Sequence, residues 1–429
     1  MMEQPHAEWI ITAGIGDVAL LLAAGTLFAH FARRLGQPAV IGEIVAGICL
    51  GPSLLGLLPG DLPALLFPAD VRPLLSMVAQ VGLLLFMFVI GWEFQGSRMS
   101  GAMRSTGSIW VCSMAFPLLL GAGLAALIYD SHKTVDGHHV EAADFGLYMA
   151  VAMSISAFPV LARIVASRGL QSSRVGVLAL ALAAADDVLA WCLLGVVVAQ
   201  VTTAGLGTAF WVVVQALAFV GVMFALVRPG LKRLWPAVER SRHSAAKLTL
   251  IAAGALASAY ATSVIGIHAI FGAFLFGLVM PRSGGDAALH DLRAPLERAS
   301  RLLLPVYFVV VGLKVDLRTL TGTGLWQLAL IIVVAVTGKL AGVAVAARIG
   351  GMSWRDATTL GLLMNTRGLT ELVVLDVGLS LGVLSTQLFT MMVIMALVTT
   401  VMTGPLIDAL RPKGRAVEEP SSEPAGMAG

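Results

Sequence analysis

What this 429-residue chain has little of is charge: Asp, Glu, Lys and Arg make up 12% of it, against 58% hydrophobic residues. That leaves too little polar surface to cover a water-soluble domain, which excludes soluble enzymes and soluble binding modules as a class. A formal net charge of +3 offers no electrostatic footprint for nucleic acid. Cysteine is scarce too, and Cys49, Cys112 and Cys192 lie in apolar runs without CxxC or Cys/His spacing, so disulfide and zinc chemistry have no support. The opening MMEQPHAEW lacks the basic segment of a secretory signal. The apolar run after it ends in Arg33-Arg34 without a small-residue cleavage site, so it reads as a retained span. Beyond Leu410 the tail 411–429, rich in Pro, Ser, Gly and Glu, reads as a disordered cytoplasmic end, and no regulatory domain is expected after it.

Long apolar runs are what the chain does have. With about 20 residues needed to cross a bilayer, they fall near 11–32, 38–57, 73–92, 106–129, 145–166, 175–198, 205–227, 244–263, 265–281, 301–316, 323–347, 356–380 and 384–410. The expectation is an all-α polytopic membrane protein of about thirteen transmembrane helices, its membrane domain occupying 1–410. The doubtful stretch is Leu248 to Pro281, and charge bias arbitrates. With the N-terminus outside and two spans in this stretch, 22 of the 28 Lys and Arg fall in cytoplasmic segments, against four outside: Arg72, Lys133, Lys314 and Arg318. So strong a bias fits the positive-inside rule and places the C-terminus in the cytoplasm of a plasma-membrane protein.

The chain also resembles itself. Ala39-Val40-Ile41-Gly42-Glu43-Ile44-Val45-Ala46-Gly47 is similar to Ala269-Ile270-Phe271-Gly272-Ala273-Phe274-Leu275-Phe276-Gly277, and Phe86–Gly91 is similar to Tyr307–Gly312. Seven spans separate the matched segments, so their directions are opposed. That predicts two inverted-topology repeats, about 11–200 and 244–410, joined by a connector helix near 205–227. Transporters built this way place substrate at the midplane, between broken helices.

Ionisable groups inside spans cost about 2.5 to 3.5 kcal/mol each on insertion scales, so each calls for a partner or a function. Asp186 and Asp187 stand in the middle of span six. Their carboxylates suit a hard cation, while burial and mutual repulsion favour a proton on at least one. Lys339, in Val336-Thr337-Gly338-Lys339-Leu340-Ala341-Gly342, is the lysine at a span centre, most cheaply kept as partner to a buried carboxylate. Asn365-Thr366-Arg367-Gly368 interrupts span twelve, and Ser154-Ile155-Ser156-Ala157-Phe158-Pro159 is its counterpart in span five. Pro159 removes a backbone donor, Gly368 favours local unwinding, and two crossing discontinuous helices are expected. Ser154 and Ser156 are candidate oxygen ligands beside the two aspartates. Asn365, Thr366, Arg367 and Glu371 are candidate gating groups, with Arg367 and Glu371 one turn apart. Asp17, Glu43 and Asp376 read as structural or interfacial, as do His30 and His268.

Together, Arg34-Leu35-Gly36-Gln37-Pro38-Ala39-Val40-Ile41-Gly42-Glu43 before Leu50-Gly51-Pro52-Ser53, the Asp186-Asp187 pair, Gly338-Lys339 and Asn365-Thr366-Arg367-Gly368-Leu369-Thr370-Glu371 resemble the monovalent cation:proton antiporter-2 family over roughly 15–410. The resemblance implies a homodimer in membrane lipid, with a six-helix core sliding against a scaffold. It implies Asp187 as the principal ion- and proton-binding carboxylate, Asp186 as the partner of Lys339 when no cation is bound, and electrogenic exchange. No cofactor is expected besides the transported cation and protons. Phe158-Pro159-Val160-Leu161-Ala162-Arg163 and the Asn365–Glu371 stretch look more like the plant and bacterial exchangers associated with potassium. Sodium is favoured, with potassium as the alternative. An organic-solute transporter on the same fold is the rival cargo reading. Gly14-Ile15-Gly16-Asp17 and Tyr129-Asp130 match the motifs of intramembrane aspartyl proteases, but in reversed order and without the accompanying Pro-Ala-Leu.

Overall fold

The computed structural model describes residues 4–410 apart from 94–95, 172, 203–205, 241–243, 267 and 282–285; the tail 411–429 lies outside the described residues. Nearly all of what is described is helix, as it must be where backbone groups cannot reach water. One short hairpin, Thr134–Val135 against His138–His139, is the sheet seen among the described residues.

Among the described residues, ten helical segments are long and apolar enough to cross a bilayer. The remaining apolar runs take other forms. The run 265–281 is the eleven-residue helix Ala269–Val279. The run 301–316 is the apolar second half of Asp286–Leu313, whose first half is charged. The run 356–380 is divided between Trp354–Met364 and Leu369–Ser380. Leu248 to Pro281 does resolve into two helices, Ser244–Ile265 and Ala269–Val279, with the chain turning at Gly266, where φ is +91°.

The helices sort into two bundles. Gln4–Arg34, Ala39–Leu50, Arg72–Glu93, Ser244–Ile265, Ala269–Val279 and Asp286–Leu313 pack among themselves and form a scaffold. Gly96–His132, Ala142–Ser154, Phe158–Ser167, Arg174–Thr202, Gly322–Ile349, Trp354–Met364, Leu369–Ser380 and Thr386–Leu410 form a core. The helix Leu206–Val222 touches one member of each bundle, Arg174–Thr202 and Ser244–Ile265.

The scaffold carries the internal resemblance in its packing. A Cβ on Gly47 would lie 2.1 Å from the carbonyl oxygen of Val309, and one on Gly312 would lie 2.3 Å from that of Ile44. Their counterparts repeat the approach: a Cβ on Gly277 would lie 2.1 Å from the Phe88 oxygen, and one on Gly91 would lie 2.1 Å from that of Phe274. The matched sequence segments therefore make equivalent backbone-to-backbone approaches, which only residues without a Cβ permit.

Two core helices are broken, and the breaks touch. Ile155 and Ala157 hold extended backbone between Ala142–Ser154 and Phe158–Ser167. Pro159 lies in the first turn of the second half-helix, where a missing N–H costs nothing. The second break separates Trp354–Met364 from Leu369–Ser380. Ala157 N–H donates to Thr366 O at 3.1 Å, and Ser156 Oγ donates to Met364 O at 2.7 Å. Gly368 acts here through its size. Its φ of 174° is ordinary extended backbone, but a Cβ there would stand 2.4 Å from Val160 Cγ2.

Candidate functional site

Asp186 and Asp187 sit side by side on Arg174–Thr202, 0% and 8% exposed. Adjacent helix positions diverge by about 100°, so the two carboxylates meet different neighbours. Asp186 turns to Gly322–Ile349, where Lys339 Nζ donates to its Oδ2 at 2.8 Å, both side chains fully buried. Ser113 Oγ reaches the same oxygen at 3.2 Å and lies 3.4 Å from the ammonium. The sequence brings these groups together through small residues: a Cβ on Gly338 would contact Pro117 at 3.1 Å, and one on Gly342 would contact Phe116 at 3.0 Å. Gly322–Ile349 therefore lies close against Gly96–His132, where Ser113 is one turn from Pro117.

Asp187 turns to the crossing. Its Oδ1 accepts from Thr370 Oγ1 at 2.9 Å, and Phe158, which opens the other half-helix, lies beside the carboxylate. Thr370 and Phe158 belong to the first turns of Leu369–Ser380 and Phe158–Ser167, so the positive ends of both half-helices serve this carboxylate.

The opposite polarity is answered by Arg367. The last turn of Ala142–Ser154 presents carbonyls, and Arg367 Nη1 and Nη2 donate to Ala152 O and Met153 O at 2.9 and 2.6 Å. Nη1 also pairs with Glu371 Oε2 at 2.9 Å, with neither side chain exposed. A cation at a helix C-terminus is favourable, and the planar guanidinium can serve two acceptors at once. Thr400 fastens the Arg367 backbone, accepting from its N–H at 3.1 Å and donating to its carbonyl at 2.7 Å.

The structure thus brings together Asp186 with Lys339, Asp187 with the crossing, and Arg367 with Glu371. Ser156 lies beside Asp186 while bonding Met364 O; the hydroxyl of Ser154 donates to Val151 O at 2.8 Å, inside its own last turn. Asn365 Oδ1, Thr366 Oγ1, Asp186 Oδ1 and Glu371 Oε1 are buried oxygens without a hydrogen-bond partner among the described residues. Oxygens of this kind suit a hard monovalent cation as substrate. Sequence reasoning missed Ser113, Thr370 and Thr400. Thr370 stood inside the quoted Asn365–Glu371 stretch, and Ser113 was findable only as the residue one turn before the proline that Gly338 abuts. Of the protease-like pair, Asp130 is exposed and bonded to Lys133, while Asp17 is buried on Gln4–Arg34.

Comparison with known proteins bears on the family and the fold. The family described as "Sodium/hydrogen exchanger, transmembrane" matches residues 18–410. Cation/H(+) antiporter 20 of Arabidopsis thaliana is 39% identical over 92% of this chain, which spans 48% of the plant protein. Na(+)/H(+) antiporter NhaS4 of Synechocystis is 38% identical, with 92% of this chain and 95% of the relative covered. K(+)/H(+) antiporter 1 of Saccharomyces cerevisiae is 33% identical over 88% of this chain and 44% of its own length. The chain thus spans about half the length of the plant and yeast relatives. Among solved structures, the sodium proton antiporter MjNhaP1 of Methanocaldococcus jannaschii superposes with a TM-score of 0.67 over 93% of this chain and 97% of that one. At 16% identity it is a likeness of fold.

Proposed function

The chain belongs to the sodium/hydrogen exchanger family, a family of cation/proton antiporters rather than enzymes, and from that premise we propose that it exchanges a monovalent cation for protons by alternating access. The observation that carries the proposal is the division of labour between adjacent aspartates. Asp186 is held by the Lys339 ammonium, whereas Asp187 is held, among the described residues, by the neutral Thr370 hydroxyl, so Asp187 can change occupant.

A proton and a cation compete for the oxygens of Asp187, because either one neutralises the same buried charge. A cation on Asp187 also stands next to the Lys339 ammonium. Its arrival weakens the Lys339–Asp186 pair and favours proton release; on the other face protons rebind and the pair reforms. If Lys339 releases its proton along with Asp187, two protons leave for one cation that enters, and the exchange is electrogenic. Sodium is the cation proposed first, with potassium the alternative; the relatives named above include an Na(+)/H(+) and a K(+)/H(+) antiporter. Ser156, Asn365 and Thr366 offer further oxygens, and Ser154 its backbone.

The glycine contacts repeated in the scaffold support inverted repeats at about 11–200 and 244–410 with 205–227 between them. The break pair in the core supports a unit that moves as one body against the scaffold. We place the protein in the plasma membrane with its N-terminus outside, on the basic-residue bias, and as a homodimer, on the family resemblance alone. The test is proton-gradient dissipation in inside-out vesicles on adding Na+, K+ or Li+, comparing wild type with Asp187→Asn. The expected result is cation-dependent dissipation that Asp187→Asn abolishes. No response to any of the three in folded wild type would overturn the reading.

A further inference from the structure

A lysine–aspartate pair that spans the two bundles lies outside the site described above. Lys314, the residue after Asp286–Leu313, is bonded to Asp376 Oδ1 of Leu369–Ser380. The pair joins scaffold to core. Asp376 also shares its half-helix with Thr370, six residues earlier, or about 9 Å along the axis. The side chains are 34% and 27% exposed, and Lys314, with Arg318, Arg72 and Asp61, helps to line a cavity of about 370 Å³. The basic-residue bias puts this cavity at the outer face, opposite the 510 Å³ cavity lined by Arg33, Arg163 and Arg168.

The groups within electrostatic range of Asp376 are Lys314, His268 and Tyr307 of the scaffold and Tyr148 of the core. Tyr148 Oη is committed to Val374 O, and His268 Nδ1 accepts from Ile270 N–H. Tyr307 is different. Its hydroxyl is buried without a partner among the described residues, and Tyr307 lies seven residues before Lys314, in the last turns of the helix that ends just ahead of it. The interface therefore holds a carboxylate with an ammonium on it, the ammonium forming part of the wall of an outer cavity, and a buried phenol oxygen nearby.

A partly exposed ion pair contributes little stability, so this one is poorly suited to locking the two bundles and well suited to exchanging partners. Asp61, across the cavity, offers the ammonium another carboxylate to swing towards. We propose that Asp376, with the Tyr307 hydroxyl, is an outer binding site for the transported monovalent cation, in series with Asp187, and that Lys314 occupies it until the cation displaces it. The proposal rests on the exchanger reading above.

The test is the apparent KM for sodium, presented to one face at a time in proteoliposomes. Asp376→Asn is expected to raise the outer-face KM about tenfold while the inner-face KM stays within twofold. Lys314→Gln, which removes the competing ammonium but leaves the carboxylate, is expected to lower the outer-face KM severalfold; it supplies the answer even where the Asp376 variant folds poorly. Unchanged outer-face values, or equal shifts on both faces, overturn the outer site while leaving exchange intact. Wild type that exchanges no cation at all fails the exchanger reading itself, and the outer site with it.

Discussion

Lys339 Nζ stands 2.8 Å from Asp186 Oδ2 with both side chains at zero exposure, joining two core helices through a fully buried charge pair. Removing one member strands the other, which costs about 3–5 kcal/mol, whereas removing both is far milder. Lys339→Ala should therefore lower the unfolding temperature in detergent, and Asp186→Asn/Lys339→Ala should recover most of the loss. In transport, Lys339→Ala should also weaken the dependence of exchange on an imposed membrane potential, because one fewer charge changes partners per cycle. Voltage dependence equal to wild type would separate the pair from the transport cycle.

Arg367 and Glu371 predict a different signature. The guanidinium serves Glu371 and two carbonyls of the other broken helix, so Arg367→Ala strands a buried carboxylate and uncovers a helix end together. A loss of about 3–5 kcal/mol is expected. Arg367→Lys should not restore it, since one ammonium cannot reproduce the planar fork. A double-mutant cycle with Glu371→Gln measures the coupling: the double variant should be less destabilised than the sum of the single ones. Additive losses would mean that the two groups act independently.

How much of this was legible depends on what makes a residue conspicuous. Asp186, Asp187 and Lys339 stood out because charge in an apolar run is costly, and the same logic found Arg367 and Glu371. Uncharged hydroxyl groups carry no such signal. Ser113 and Thr370 matter because helix packing brings them to a carboxylate, and serine and threonine are common in spans for many reasons. Ser154 shows the converse, since near a helix end its hydroxyl bonds the carbonyl three residues back. Asp376 was assigned a structural or interfacial role, and Lys314 entered only as one of four outer charges. Nothing in the chain order announces that a scaffold lysine and a core aspartate 62 positions apart share a bond.

A pH dependence follows from the link outside the membrane. Arg318, hydrogen-bonded to Asp316, holds that carboxyl below its ordinary value, and the carboxylate also accepts from Arg318 N–H to start the short turn Leu317–Thr319. A depressed carboxylate contributes stability that is fully present above its unfolded value, roughly pH 4, and is lost as pH falls through the lower folded value. Amide protection in 316–320, taken relative to the unstructured rate at each pH, should therefore be high at neutral pH and fall below about pH 4. Asp316→Ala should show the low protection at every pH. Protection that survives in the alanine variant would mean that the link is held by Thr390 and Gln387 instead.

The crossing itself depends on one missing methyl. A Cβ at Gly368 would stand 2.4 Å from Val160 Cγ2 and 3.2 Å from Ala157 Cβ, so Gly368→Ala forces the two half-helices apart where Asp187 meets Thr370 beside Phe158. Overpacking of this kind costs about 1–3 kcal/mol, and it also spoils the geometry around the carboxylate. The expected result is a modest fall in unfolding temperature with a disproportionate loss of exchange rate. Val160→Ala removes the methyl group in the way, so Gly368→Ala/Val160→Ala should regain exchange beyond either substitution's additive expectation. Gly368→Ala that exchanges cation at the wild-type rate would show that the crossing tolerates separation, and that Asp187 does not need both half-helices at once.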